Sequence, residues 1–249
     1  MDNRKTVLIS GGTSGIGLAC AVVLRKRDWD VVIAGRDAER GRQALESMPS
    51  GQGSCVYVHG DVSSEAGCRS IIAEALQQSG RLDGLITSAG IYGENLLGDV
   101  TEEEADRFWS INVKGTMFLC KYALPHLKAH GGSIVTIASD AGLQGNVACS
   151  LYSATKGAVT AFSRSLALET APHGVRVNCL CPGDVATPLL ERQMQADPTL
   201  TMDSLRQHYP LYRIAQPQEI ATVAAFLLSA DASYVTAAVW PVDGGLTSW

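Results

Sequence analysis

Between residues 5 and 242, short apolar, β-branched runs alternate with longer stretches of helical periodicity, and that alternation leaves the chain very few architectures. The runs at 6–10, 30–34, 54–59, 83–87, 133–138, 175–180 and 237–242 predict seven strands. Most are apolar at every position, the pattern of strands covered on both faces. Helices fit between them at 15–27, 38–48, 64–79, 102–129, 151–170 and 217–229, with Thr101 and Glu104 spaced as a capping box for the fourth. The fold class that follows is α/β, a doubly wound parallel seven-stranded sheet with helices on both faces. Pro241 cannot donate to a strand ladder, which assigns the last strand to a sheet edge. No linker or composition shift divides the 249 residues, so 1–249 is expected to be a single domain. Residues 184–216 are far more than a strand-to-helix connection needs, which marks this segment as a lid or binding loop. Met194, Met202, Tyr209 and Tyr212 are its expected walls toward a substrate, within an apolar set that also includes Leu189, Leu190 and Leu205.

Composition excludes several classes. Apolar residues make up 46% of the chain and charged residues 18%, which indicates a buried core and not a disordered polymer. The net charge is -5, without basic clusters or interleaved aromatics, so nucleic acid is not an expected partner. No apolar run approaches the roughly 18 residues of a membrane span, and Met1 to Lys5 lead straight into a strand, so a soluble, cytoplasmic protein is expected. Seven scattered cysteines suit reduced thiols, and Cys179 and Cys181 lack the Cys-x-x-Cys spacing.

The first strand runs into Ser10-Gly11-Gly12-Thr13-Ser14-Gly15-Ile16-Gly17 and then into a helix. Glycines at 11, 15 and 17 permit a tight turn, close approach of backbone to a pyrophosphate, and close helix-strand contact, with the helix N-terminus facing the anion. The second strand ends Gly35-Arg36-Asp37. A carboxylate at the strand end serves the ribose diol of NAD, whereas an arginine accommodates the 2′-phosphate of NADP. Gly35 stands where that carboxylate is sought and Arg36 follows, which favours NADP(H). In the competing NAD(H) reading, Asp37 or a rearranged loop serves the diol and Arg36 stacks on adenine.

Tyr152 and Lys156 are four residues apart on a predicted helix, so phenol and ammonium share one face. A nearby cation favours the phenolate, and Tyr152 could then act as a general acid/base. Ser139 follows the apolar run 133–138, at the carboxyl edge where parallel sheets bind ligands.

Together these residues resemble the short-chain dehydrogenase/reductase family, in its compact single-domain, Rossmann-like form, over essentially the whole chain. The matching pieces are Gly11-x-x-x-Gly15-Ile16-Gly17, Asp61-Val62, Ala89-Gly90, Asn112-Val113-x-Gly115, Ser139, Tyr152-x-x-x-Lys156, and Pro182-Gly183 followed by Thr187. The resemblance implies that Ser139 holds a carbonyl or alcohol oxygen and Tyr152 passes its proton. It implies that Lys156 lowers the tyrosine pKa and binds the nicotinamide ribose, and that Asn112 holds a water linking Lys156 to solvent. Asp61 and Val62 would flank the adenine, and Val185 and Thr187 would meet the nicotinamide carboxamide. Where the family reads Asn-Asn-Ala-Gly, this chain has Thr87-Ser88-Ala89-Gly90, so hydroxyls or water must supply the missing amide bonds.

The implied activity interconverts a secondary alcohol and a ketone, a small-molecule substrate, with a homotetramer as the family's assembly. A 3-oxoacyl-carrier-protein reductase is the alternative, although only scattered Lys114, Lys121 and Lys128 offer a basic patch. A dinucleotide-binding sensor that lost the reaction is a remoter one. His126 and His130 are four apart but lack the glutamate of a zinc-protease helix, so no catalytic metal is expected. Ser139 lacks the Gly-x-Ser-x-Gly elbow of a hydrolase.

Overall fold

In a computed structural model that describes residues 4–51 and 53–249, the strands β1 (Thr6–Ser10), β2 (Asp30–Gly35), β3 (Cys55–His59), β4 (Gly84–Thr87), β5 (Ser133–Ile137), β6 (Arg176–Pro182) and β7 (Val239–Val242) form one sheet. Met1 to Asn3 lie outside the described residues. The order is β3-β2-β1-β4-β5-β6-β7, and every adjacent pair is parallel. Strand order reverses beside β1, which pairs with both β2 and β4, and the carboxyl ends there open a crevice. β7 is the sheet edge expected from Pro241.

The continuous apolar runs follow from this two-sided cover. Val7 and Ile9 of β1, with Ile33, Val135 and Leu180, meet α1 (Gly15–Lys26) and α9 (Pro217–Leu228) on one face. Leu8 between them points to the other face, with Val32, Leu85, Ile134 and Val177. That face is covered by α3 (Glu65–Ser79), α5 (Gly115–Lys128) and α6 (Ser150–Thr170). Between them in sequence, α2 (Ala38–Glu46) follows β2, and α4 (Glu102–Phe108) precedes α5.

Two local expectations are corrected. The single helix expected at 102–129 is α4 and α5 joined by a π-helical turn, Trp109–Lys114. The widened turn aims Asn112 inward, where its amide bonds the backbone of Ile91. The capping box at Thr101 is half made. Its hydroxyl accepts from Glu104 N at 3.2 Å, but the Glu104 carboxylate is occupied by Asn95 Nδ2 at 2.7 Å.

Residues 184–216 carry α7 (Pro188–Ala196) and α8 (Met202–Arg206). A parallel bridge between Val185 and Ala215 ties their base to the body, and Leu190, Leu205, Tyr209 and Ile214 form their own apolar cluster. Among the described residues, no helix is long and apolar enough to cross a membrane.

Candidate active site

Two adjoining spaces open at the carboxyl edge of the sheet. The first is a groove of about 430 Å³ beside the β1–α1 turn. Gly11 has φ +65°, and a Cβ there would lie 2.8 Å from Ala89 N. A Cβ on Gly17 would lie 2.3 Å from Gly11 O, so the first turn of α1 folds directly onto the preceding loop. Thr13, Ser14, Gly15 and Ile16 line the groove, opposite Ala89, Gly90 and Thr187. No acidic side chain occupies the first turn of α1, leaving its N-terminus open to an anion. Val62 lines the groove together with Gly60, which the sequence reading missed. Asp61 is absent from its wall, and its carboxylate caps the next turn by accepting from Ser63 N at 2.9 Å.

The end of β2 is also resolved. A Cβ on Gly35 would stand 2.9 Å from Thr13 Cγ2, so a carboxylate-bearing residue there presses on the glycine loop. Asp37 is committed to α2, accepting from Arg40 N at 3.0 Å and pairing with the Arg40 guanidinium at 3.3 Å. Arg36 lines the groove and has no ion pair among the described residues. These surroundings fit a dinucleotide carrying an extra phosphate on its adenosine ribose.

The second space is a chamber of about 400 Å³ that shares Ser88, Gly90, Ile91, Tyr92 and Thr187 with the groove. Ser139 from the end of β5 lines it, as do Tyr152 and Lys156 from the first turns of α6. Lys156 Nζ is 5.7 Å from the centre of the Tyr152 ring and donates to Ile137 O at 3.1 Å, which leaves two of its N–H groups for other partners. Ser139 Oγ accepts from Ala141 N at 3.2 Å and donates to Asp140 Oδ1 at 2.7 Å. Tyr92 meets the Tyr152 ring edge-on, centroids 4.7 Å apart. Thr187 is buried, and its hydroxyl makes no cap bond to α7.

Asn112 works at one remove. Its Oδ1 accepts from Ile91 N at 2.8 Å, and its Nδ2 donates to Ile91 O at 3.0 Å and to Thr155 Oγ1 at 3.1 Å. It thereby fastens the loop after β4 to the helix that carries Tyr152 and Lys156.

The electrostatics correct the expectation that Lys156 pulls the phenol down. Burial pushes the Tyr152 phenol above its ordinary value; the Ser139 hydroxyl opposes that shift and Asp140 adds to it. Burial also pulls Lys156 down, to about 8. The net direction for the phenol in the protein alone is therefore upward, with Lys156 Nζ 5.7 Å from the ring centre.

The lid supplies some of the expected walls and not others. Leu189, Leu190, Leu205 and Tyr209 face the chamber, whereas Met194 packs inside the lid cluster and Tyr212 is 67% exposed. Met202 is exposed as well and lines neither space. Pro182, Gly183 and Val185 lie on the chamber side, and Tyr209 Oη accepts from Asp184 N at 2.7 Å. Sequence reasoning missed Glu94, Asp140, Asp184 and His208, all on the chamber wall. The one available signal was position, since Asp140 follows Ser139 and Asp184 follows the Pro182-Gly183 turn. At Thr87-Ser88, Ser88 N bonds Ser10 O at 3.2 Å and Ala89 N bonds Ser10 Oγ at 3.3 Å. The buried Thr87 hydroxyl has no partner.

Comparisons with known proteins cover nearly the whole chain. The sequence model of a family described as enoyl-(acyl carrier protein) reductase matches residues 11–247. The L-fucose dehydrogenase of Mus musculus is 38% identical over 244 residues, covering 97% of this chain and 88% of that protein. A Brucella melitensis structure described as a short-chain dehydrogenase/reductase of the glucose/ribitol dehydrogenase type superposes with TM-score 0.89 at 35% identity, covering 97% and 96% of the two chains. An actinorhodin polyketide ketoreductase variant solved with NADPH superposes with TM-score 0.94 at 31% identity, covering 100% and 99%.

Proposed function

The chain belongs to the short-chain dehydrogenase/reductase family, and from that premise we propose that it interconverts a secondary alcohol and a ketone, with NADP(H) as cofactor. The observation that carries the reading is the opening of the Ser139, Tyr152 and Lys156 chamber directly into the glycine-lined groove, across Gly90 and Thr187. When bound, the nicotinamide gives or takes the hydride. The rest falls to this chain's own side chains.

Gly11 to Gly17 would hold the pyrophosphate against the N-terminus of α1, and Arg36 would meet the 2′-phosphate. The two spare N–H groups of Lys156 would bind the nicotinamide ribose, and the Thr187 hydroxyl, beside Val185, would take the carboxamide. Ser139 Oγ orients the substrate oxygen. Tyr152 Oη gives that oxygen a proton as the ketone is reduced and takes it back in alcohol oxidation. The resting phenol carries its proton and can give it to a ketone directly, whereas oxidation begins with loss of that proton to solvent. In oxidation the Lys156 ammonium offsets the charge that Tyr152 acquires. The lid over 184–216 excludes water from the chamber. Exposed Met117 on α5 and Leu168 on α6 belong to faces that a homotetramer would cover.

The test is a panel of secondary alcohols, ketones and a 3-oxoacyl thioester, assayed with NADP(H) and NAD(H) in parallel. Oxidation or reduction with NADP(H), and loss of turnover in Tyr152→Phe with dinucleotide binding retained, is the expected result. Unchanged turnover in Tyr152→Phe overturns the role given to that phenol.

A further inference from the structure

The chamber holds more negative charge than the reaction uses. Glu94 arrives from the loop after β4, Asp140 from the turn after β5 and Asp184 from the loop after β6, and all three line the space shared by Ser139, Tyr152 and Lys156. Facing them on this wall are Lys156, which the cofactor would engage, and the exposed imidazole of His208. The carboxylates are bonded to neutral donors. Asp140 takes the Ser139 hydroxyl at 2.7 Å, with Asn146 Nδ2 at 3.3 Å and Gln144 Nε2 at 3.5 Å. Glu94 takes the Tyr92 hydroxyl. Hydrogen bonds of this kind orient a carboxylate without cancelling its charge.

The three fields overlap inside the chamber. Burial first, and then Asp140 and Glu94, push the Asp184 carboxyl up against the pull of the Tyr209 hydroxyl and His208. Asp140 and Asp184 likewise add to the rise of Tyr152. A buried carboxyl that two neighbouring carboxylates push further up is relieved by a cation beside it. The remaining wall is the apolar set Leu189, Leu190 and Leu205 of the lid, which suits a short hydrocarbon.

We propose that the substrate is an amino alcohol, and its oxidised partner an amino ketone, whose ammonium group is held between Glu94 and Asp184. The inference rests on the alcohol–ketone reading of the same chamber. In oxidation Tyr152 first gives up its own proton to solvent; the carbinol carbon then passes its hydride to NADP⁺, the hydroxyl proton goes to the Tyr152 phenolate, and the C–N bond is untouched. Asp140, bonded to Ser139, is a positioning residue and not an ammonium ligand.

Matched 2-alkanols of roughly four to eight carbons, ending in ammonium, hydroxyl or carboxylate, test this when kcat/KM is measured with NADP⁺ at neutral pH. The ammonium series is expected to exceed the hydroxyl series by about tenfold and the carboxylate series by about a hundredfold. N-acetylation of the amine, which removes the charge from the substrate and leaves the enzyme native, is expected to erase the preference. The paired substitution Glu94→Gln and Asp184→Asn should shrink the ammonium-to-hydroxyl ratio to about twofold, with circular dichroism confirming the fold. Preference for hydroxyl or carboxylate, or a preference that survives acetylation, overturns the charge inference while the alcohol–ketone reaction stands. Failure to turn over any member of the set, together with simple ketones and the 3-oxoacyl thioester, overturns the reaction itself.

Discussion

The groove and the chamber are nearly equal in volume, about 430 and 400 Å³, yet they are built from different material. At the glycine turn the groove is backbone held close by the absence of side chains: Gly11 against Ala89, Gly17 against Gly11, and Gly35 against Thr13. The chamber is mostly side chains, delivered by loops after β4, β5 and β6 and by the lid. A backbone surface recognises what every dinucleotide shares. A side-chain surface can be changed one residue at a time, so selectivity for the substrate is concentrated there.

The largest effect that could break this contrast comes from Gly17→Ala. Its Cβ would enter within 2.3 Å of Gly11 O, so the turn must open. NADP(H) affinity should fall by more than about a hundredfold, read by titration of cofactor fluorescence. Asp184→Asn, in the chamber, should shift the same Kd by less than about threefold, since the site it changes lies beyond the dinucleotide. Comparable losses in the two variants would show that groove and chamber are not separable.

Arg36→Ala sharpens the groove's half of the contrast, being the side chain on which its selectivity depends. A charge-assisted contact to phosphate contributes about 1.5–3 kcal/mol, so NADP(H) affinity should fall about tenfold to a hundredfold. NAD(H) affinity should change little, because the 2′-phosphate is absent. A parallel fall for both cofactors would assign Arg36 to adenine stacking instead.

Lys156 stands at the seam between the spaces and has a signed pH signature. Its folded value is lowered to about 8, so the folded protein sheds this proton before the unfolded chain does. The burial penalty is fully present below about 8 and is relieved as pH rises toward the ordinary lysine range. Lys156→Met removes that slope. Chemical denaturation at two pH values straddling it should show wild-type stability, relative to Lys156→Met, rising by about 2 kcal/mol. Taking the difference between the two proteins cancels the opposing ionisation of buried thiols such as Cys20 and Cys120, both pushed up to about 12 by burial. A flat difference would mean that the Lys156 ammonium is not penalised.

The same contrast explains what could be read from the sequence. The sheet was legible because most of the strands are apolar runs, and strand bounds missed by no more than two residues at either end. The groove was legible because a glycine signals a close approach by its own identity. Asn112 was legible as a residue but not as a fastener, since nothing in the periodicity of 102–129 announces the π-helical turn that aims it at Ile91. Glu94, Asp140 and Asp184 were invisible because they share no spacing, and only the folded sheet brings three loops to one wall. The phenol's direction of shift was misread for a related reason. Helical spacing puts a cation near Tyr152, but it does not report the burial that penalises both groups.

The smallest expected effect concerns the seam of the groove at Thr87. The chain replaces an asparagine of the family pattern with a residue whose hydroxyl is buried and unpartnered, while Ser10 serves the neighbouring Ala89 N–H. A buried hydroxyl without a partner costs about 1–3 kcal/mol, and valine has nearly the same shape without that group. Thr87→Val should therefore stabilise the protein by about 1 kcal/mol, raising Tm by about 2–4 °C, with NADP(H) affinity within about twofold of wild type. A fall in Tm would show that the hydroxyl has a partner in solution. A fall in affinity at unchanged Tm would instead make Thr87 part of the cofactor surface, and the groove would then depend on side chains at β4 as the chamber does.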